Sequence, residues 1–135
     1  MTLSRNAQLL EKFNGNPPAV ADTINRIEVE SSLNLPVEYK EFLRKQNGGE
    51  GFIGNAYAML WRAEELLEKN RSYQVRDYAP GLFLFGSDGG DEAFAFDMRL
   101  DSKPIVSVPF VGMKLSETLP VAENFDEFLE VLFKS

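Results

Sequence analysis

Leu35-Pro36-Val37-Glu38-Tyr39-Lys40-Glu41-Phe42-Leu43-Arg44-Lys45-Gln46-Asn47-Gly48-Gly49, read together with Phe85-Gly86-Ser87-Asp88-Gly89-Gly90-Asp91-Glu92, decides the fold. The first stretch predicts a short helix over residues 36–46. A proline suits its first turn, where no amide hydrogen is needed. Tyr39, Phe42 and Leu43 follow at i, i+3 and i+4 and make one apolar face. Asn47-Gly48-Gly49 predicts the stop, because glycine accepts the left-handed conformation that closes a helix. The second stretch predicts an apolar strand over residues 82–85, a glycine-rich acidic turn, and an alternating strand over residues 93–97.

Working outward, residues 3–13 read as an amphipathic helix with Leu3, Ala7, Leu10 and Phe13 on one stripe. Asn14-Gly15-Asn16-Pro17-Pro18 predicts a firm break. A second helix is expected over residues 19–33 through Val20, Ile24, Ile27 and Leu33. Residues 51–61 read as extended, with a hairpin turn at Gly54-Asn55. Residues 62–70 return to helix, and a further strand is expected over residues 105–110. Asn124 opens the last helix as an N-cap with Glu127 three residues on, a capping box. Phe125, Phe128, Leu129, Leu132 and Phe133 then supply its apolar stripe. Helices flanking a run of neighbouring strands predict an α+β fold, with a central, largely antiparallel sheet between N-terminal helices and a C-terminal helix.

Ile24, Ile27, Glu30, Leu33, Leu35-Pro36, Tyr39-Lys40, Phe42-Leu43 and Asn47-Gly48-Gly49 stand in an order that resembles the SUKH superfamily, also called the Smi/Knr family. Leu60-Trp61, Glu65-Leu66, Asn70, Tyr73, the turn at residues 85–90, Asp97 and the final helix with Phe125 and Phe128-Leu129 continue the likeness. It runs over residues 22–135 of what reads as a single domain of residues 1–135. The resemblance implies a domain used widely as an immunity protein against bacterial polymorphic toxins, often nucleases. Fungal relatives regulate cell-wall synthesis, so a regulatory or scaffolding module is the alternative.

Composition sets independent bounds. A chain of 135 residues fits one domain with a substantial core. It has no cysteine and no histidine, so zinc sites and Ser-His or Cys-His dyads are excluded within it. Carboxylate, lysine or oxygen-ligated metal chemistry is what an enzyme would have left; we expect no catalysis, no metal and no cofactor. Residues 1–13 lack the continuous apolar run of a signal peptide, and no segment approaches the ~18 apolar residues of a membrane span. A cytoplasmic location is expected.

The net charge is −7. Residues 1–70 carry 8 basic and 10 acidic side chains (−2), and residues 71–135 carry 6 and 11 (−5). Such a surface repels a phosphate backbone, so no nucleic acid is expected as partner. It attracts a basic protein surface, although mild acidity also simply favours solubility.

Asp88, Asp91 and Glu92 could ligate calcium or magnesium, but their spacing is not that of an EF-hand, and Asp with Gly is ordinary hairpin chemistry. Asp97 could pair with Asp88 or Glu92 as a catalytic dyad, or cap the turn after its strand. Trp61 is either an interface anchor or a core residue. Asn47-Gly48-Gly49-Glu50-Gly51 follows a helix and precedes no Lys-Ser/Thr, so it is not a phosphate cradle. The expected partner is a cognate, basic protein toxin. Glu50, Asp88, Asp91 and Glu92 would supply electrostatic complementarity and Trp61 an anchor. No membrane contact is expected, and the chain would be a monomer or a weak homodimer through an edge strand.

Overall fold

The computed structural model describes residues 5–135. Its elements in chain order are α1 (Arg5–Leu9), β1 (Phe13–Gly15), α2 (Ala21–Ser31), α3 (Val37–Lys45), β2 (Gly49–Ile53), β3 (Ala56–Leu60), α4 (Ala63–Ser72), α5 (Val75–Tyr78), β4 (Leu82–Ser87), β5 (Glu92–Asp97), β6 (Ile105–Pro109), a 3₁₀ turn (Leu115–Glu117), β7 (Leu119–Ala122) and α6 (Phe125–Lys134). The strands form one seven-stranded sheet whose spatial order is the chain order, with every neighbouring pair antiparallel. The fold is therefore α+β, as the flanking-helix pattern predicts.

Aromatic packing on one sheet face builds the core. A register shift between Leu84 and Gly86 leaves Phe85 as an extra residue in β4, and its ring lies 4.5 Å from Phe96 and 5.3 Å from Phe128. From α3, Tyr39 sits 5.5, 5.0 and 5.3 Å from Phe85, Phe96 and Phe125. Burying rings of this size contributes the most favourable single terms available to a small domain. The helical spacing of Tyr39, Phe42 and Leu43, and of Phe125, Phe128, Leu129 and Leu132, aims these side chains into the core, and all are buried.

The sheet has two regimes. Every residue of β4 is buried, and α4 and α5 contact that strand as well. In β2 and β3, by contrast, burial alternates. Gly51, Ile53, Ala58 and Leu60 point inward, while Glu50, Phe52 and Met59 are exposed and Tyr57 is half-buried. This is the period-two pattern of a sheet with one solvated face.

β3 pairs with β4 only through Met59–Ser87 and Leu60–Gly86 before the chain leaves for α4. Asn70 then fills the vacated ladder position: its Nδ2 donates to Leu84 O at 2.9 Å and its Oδ1 accepts from Leu84 N at 2.8 Å. A helix side chain thus satisfies two strand groups that burial would otherwise leave unpaired.

Several expectations are corrected. Of the helix expected over residues 3–13, Leu3 and Ser4 lie outside the described residues and only Arg5–Leu9 are helical; Phe13 lies in β1, and Asn14-Gly15 continue that strand instead of breaking the chain. β1 exists because β2 offers it a pairing edge, a tertiary gain that helical periodicity cannot register. The α3 stop is made by extended Gln46 (φ −151°), not by a left-handed glycine; Gly48 takes φ +69° two residues later. Pro36 is the N-cap rather than the first helical residue. Phe133 is 42% exposed, off the buried stripe. The capping box is half-formed: Asn124 Oδ1 accepts from Glu127 N at 2.8 Å, but Glu127 reaches back to Glu123 N, at 3.4 Å. α5, β7 and the 3₁₀ turn were not expected. The edge strands β1 and β7 have three and four residues, and Pro120 sits in β7. Short, proline-bearing edges discourage pairing with another chain. Among the described residues, no helix is long and apolar enough to cross a membrane.

Candidate functional site

The solvated face of β2 and β3 forms the floor of a cleft of ≈ 800 Å³, walled by β1 on one side and by the start of α4 on the other. Strand alternation puts Tyr57, Met59 and Trp61 on that floor, and the register places Glu50 opposite Met59 and Phe52 opposite Tyr57. Phe52 and Tyr57 meet edge to face at 5.3 Å, a favoured cross-strand aromatic arrangement. The Tyr57 hydroxyl donates to Glu50 Oε2 at 2.7 Å from the diagonal position. That bond fixes the carboxylate and, with the negative charge of Glu50, raises the Tyr57 pKa above its ordinary value.

Trp61 reconciles its two sequence readings. The residue is largely buried, at 9% exposure, yet it lines the cleft. Its ring stacks on Tyr73 at 6.2 Å and 11°, and Tyr73 meets Phe110 at 4.7 Å. Lys69 Nζ lies 5.5 Å from the Trp61 ring centroid, a cation–π contact. The indole is thus a fixed wall rather than a free anchor.

The turn between β4 and β5 adjoins the same floor. A Cβ added at Gly89 would lie 2.7 Å from Tyr57 Cδ1, so the turn backbone rests on that ring. Within the turn, Asp88 Oδ1 accepts from Gly90 N at 2.8 Å and Glu92 N at 3.3 Å. The Asp88 carboxylate is thus engaged by its own backbone, as an Asx turn requires. Neither Asp91 nor Glu92 lines the cleft, and the register that sets Met59 opposite Ser87 and Ser87 opposite Ala93 turns Glu92 to the other face of the sheet. Partial burial first, and then the negative charges of Asp88 and Asp91, push the Glu92 carboxyl above its usual range. Among the described residues, no group of three or more Asp or Glu side chains is placed to hold a metal ion.

Of the five residues singled out from sequence, Glu50 and Trp61 line the cleft, while Asp88, Asp91 and Glu92 belong to the turn that touches Tyr57 at its edge. Phe52, Tyr57 and Met59 were missed. Their period-two spacing with Glu50 and Trp61 was the available signal. Cations were missed as well: Lys12, Arg62 and Lys69 line the cleft, and none of the three has an ion pair among the described residues. The lining is mixed in sign and not acidic throughout: Lys12 stands by β1 near Phe52, and Glu65 stands beside Arg62 at the start of α4.

Asp97 takes no part. It ends β5 at the opposite extremity from Glu92, about 17 Å along an extended strand, so the two cannot form a dyad. Arg99 binds it through Nε at 2.9 Å and Nη2 at 2.8 Å, and these bonds hold its carboxyl below the usual range against the opposing effect of burial.

Asn47 sets where α4 begins, and so where Trp61 and Arg62 stand. Its Oδ1 accepts from Ala63 N and its Nδ2 donates to Glu64 Oε1, both at 2.7 Å. Its backbone N–H meets the carbonyls of Asn16 and Pro17, each at 3.2 Å. Gly48 is obligatory beside it, since an added Cβ would lie 2.4 and 2.5 Å from the carbonyl oxygens of Leu60 and Trp61. The Asn-Gly pair thus joins the end of α3, the approach to β2 and the start of α4.

A model of the SMI1 / KNR4 family (SUKH-1) matches residues 18–131. The match takes in both α3 with its Asn-Gly-Gly sequel and the β4–β5 turn. No curated protein matches the sequence.

Proposed function

From the premise that the chain belongs to the SMI1 / KNR4 family (SUKH-1), whose members are generally non-catalytic immunity or regulatory proteins, we propose that it is an immunity-type protein. It neutralises a cognate, basic protein toxin by one-to-one binding in the cytoplasm, a nuclease being the leading toxin class. The observation that carries this reading is the solvated face of β2 and β3, where Phe52 and Met59 are 52% and 37% exposed beside Glu50 and the acidic turn. Apolar side chains grouped with oriented charge suit a protein interface.

Inhibition of this kind needs no catalytic group, which accords with a chain lacking histidine and cysteine. The toxin is blocked at its active site or at a surface beside it. A net charge of −7 accelerates encounter with a basic partner and screens as salt rises.

The test is a toxicity-rescue assay. The C-terminal region of the product encoded immediately upstream is induced in a bacterial host with and without this protein. Rescue, with co-purification of a one-to-one complex, is the expected result. A toxic neighbour that is neither rescued nor bound would overturn the reading and favour a regulatory module.

A further inference from the structure

We propose that Asn47 is a latent self-modification site, closed while the protein is folded and open once the junction between α3 and β2 unfolds, and that its isoaspartyl product keeps that junction from re-forming. The inference holds whether or not the partner is a toxin.

The chemistry needs only water. Asparagine before glycine is the reactive context for succinimide formation, because glycine has no Cβ to hinder its amide nitrogen. Gly48 N bonds to Asn47 Cγ, the Cγ–Nδ2 bond breaks, and ammonia leaves with the proton from Gly48 N. Water then opens the ring at either carbonyl. One product is aspartate; the other is isoaspartate, with the main chain rerouted through Cβ. Asn-Gly occurs twice in the chain, at residues 14–15 and 47–48, and by sequence the two pairs are equally reactive.

The fold separates them. Asn14 is exposed in β1, whereas Asn47 is buried, at 6% exposure. Both atoms on Asn47 Cγ are engaged, Oδ1 by the Ala63 amide and Nδ2 by Glu64 Oε1, each at 2.7 Å. The attacking group is engaged too, since Gly48 N donates to Gln46 O at 3.0 Å. Ring closure therefore waits until all three bonds are broken, which detaches α4 from its cap. The reaction follows the population of that open form.

The products do not fit the closed form equally. Aspartate keeps an acceptor for the Ala63 amide, a favourable cap, but presents oxygen to Glu64 where a donor stood. Isoaspartate inserts a methylene into the main chain just before Gly48. There a single added carbon on Gly48 would already lie 2.4 and 2.5 Å from the carbonyl oxygens of Leu60 and Trp61. The start of α4, and Trp61 with it, cannot reassemble around the longer chain. One excursion to the open form is thus recorded permanently.

The experiment incubates the full chain in mildly alkaline buffer with and without concentrated urea, and maps the peptides that hold Asn14 and Asn47 by mass spectrometry. Similar rates at both sites are expected in urea. In the folded protein, Asn47 should react on the order of a hundredfold more slowly than in urea, or slower still, as an opening of a few kcal/mol requires. Equal rates at Asn47 in the two conditions would overturn the proposal.

Refolding is then followed in an Asn14→Ser background, which removes the exposed pair. Chains with intact Asn47 should regain the near-ultraviolet signal of the stacked Trp61 and Tyr73 when urea is withdrawn, and isoaspartyl chains should not. Asn47→Asp carries the charge without the added methylene. It is expected to fold with a lowered denaturant midpoint, and Glu64→Gln within it to restore part of the loss. Isoaspartyl chains that refold, or an Asn47→Asp variant that does not, would overturn the assignment of the block to the main chain.

Discussion

Asn47 caps α4 from sixteen residues away, its Oδ1 accepting the Ala63 amide at 2.7 Å. The ordinary N-cap position is occupied by Arg62, whose side chain cannot accept a hydrogen bond. The helix therefore takes its cap from the loop after α3, which ties the wall of the cleft to the core helix that precedes β2.

Asn47→Ala removes that cap and leaves the Ala63 amide buried and unpaired. A loss of about 2–3 kcal/mol of unfolding free energy is expected, the sum of a missing cap and an unsatisfied donor. The denaturant midpoint of the variant measures it. A change below half a kilocalorie, about the scale of a neutral surface substitution, would mean that α4 is capped by other means.

Gly48 and Gly112 both have positive φ, at +69° and +74°, but only Gly48 is enclosed by backbone. An alanine at Gly112 meets nothing within 4 Å, so Gly112→Ala should cost only the left-handed penalty of about 1 kcal/mol. Gly48→Ala adds a clash with two carbonyl oxygens and should cost about 3 kcal/mol or more, or prevent folding. Paired thermal melts separate the two contributions, and equal losses would contradict the steric argument.

The Tyr39 hydroxyl is fully buried and has no hydrogen-bond partner among the described residues. Burial pushes its pKa far above that of an ordinary phenol, so it stays protonated at any working pH. Tyr39→Phe keeps the ring contacts with Phe85, Phe96 and Phe125 and removes the stranded oxygen. It should stabilise the fold by about 1 kcal/mol, raising Tm by a few degrees. Destabilisation of comparable size would reveal a partner for the hydroxyl.

Glu92 has a folded-state pKa above its unfolded value, so the folded protein binds the proton more tightly than the unfolded one. Stability therefore falls as pH rises from the unfolded pKa through the raised folded one, and the ionised carboxylate is a liability at neutral pH. Glu92→Gln should be more stable than the parent at pH 7, by less than about 1 kcal/mol at this partly exposed site. The advantage should vanish below the unfolded pKa. Unfolding midpoints from pH 3 to 8 would show it, and an advantage constant across that range would exclude the charge explanation.

What could be read from the sequence follows the range of the interactions concerned. The faces of α3 and α6 were legible because residues three and four apart already report a buried stripe. The β2–β3 hairpin was legible from Gly54-Asn55 between extended segments. β1 was not, because Phe13 to Gly15 becomes a strand only through pairing with residues 49–51. The cap on α4 was equally hidden: Asn47 looks like part of a helix stop, and only the fold carries it to Ala63. At the candidate site, Glu50, Trp61 and the acidic turn were found by composition. Phe52, Tyr57 and Met59 needed the strand faces to be told apart, and the cations needed two separated segments to converge, Lys12 before β1 and Arg62 with Lys69 on α4 and its cap.

The split between a doubly covered β4 and a half-covered β2–β3 has an evolutionary consequence. Glu50, Phe52 and Met59 project away from the buried residues Ile53, Ala58 and Leu60 of the same strands, so they can change without disturbing the packed interior. The scaffold can therefore be retargeted: a few substitutions on one face change what it presents to solvent, while the rings around Tyr39 stay as they are.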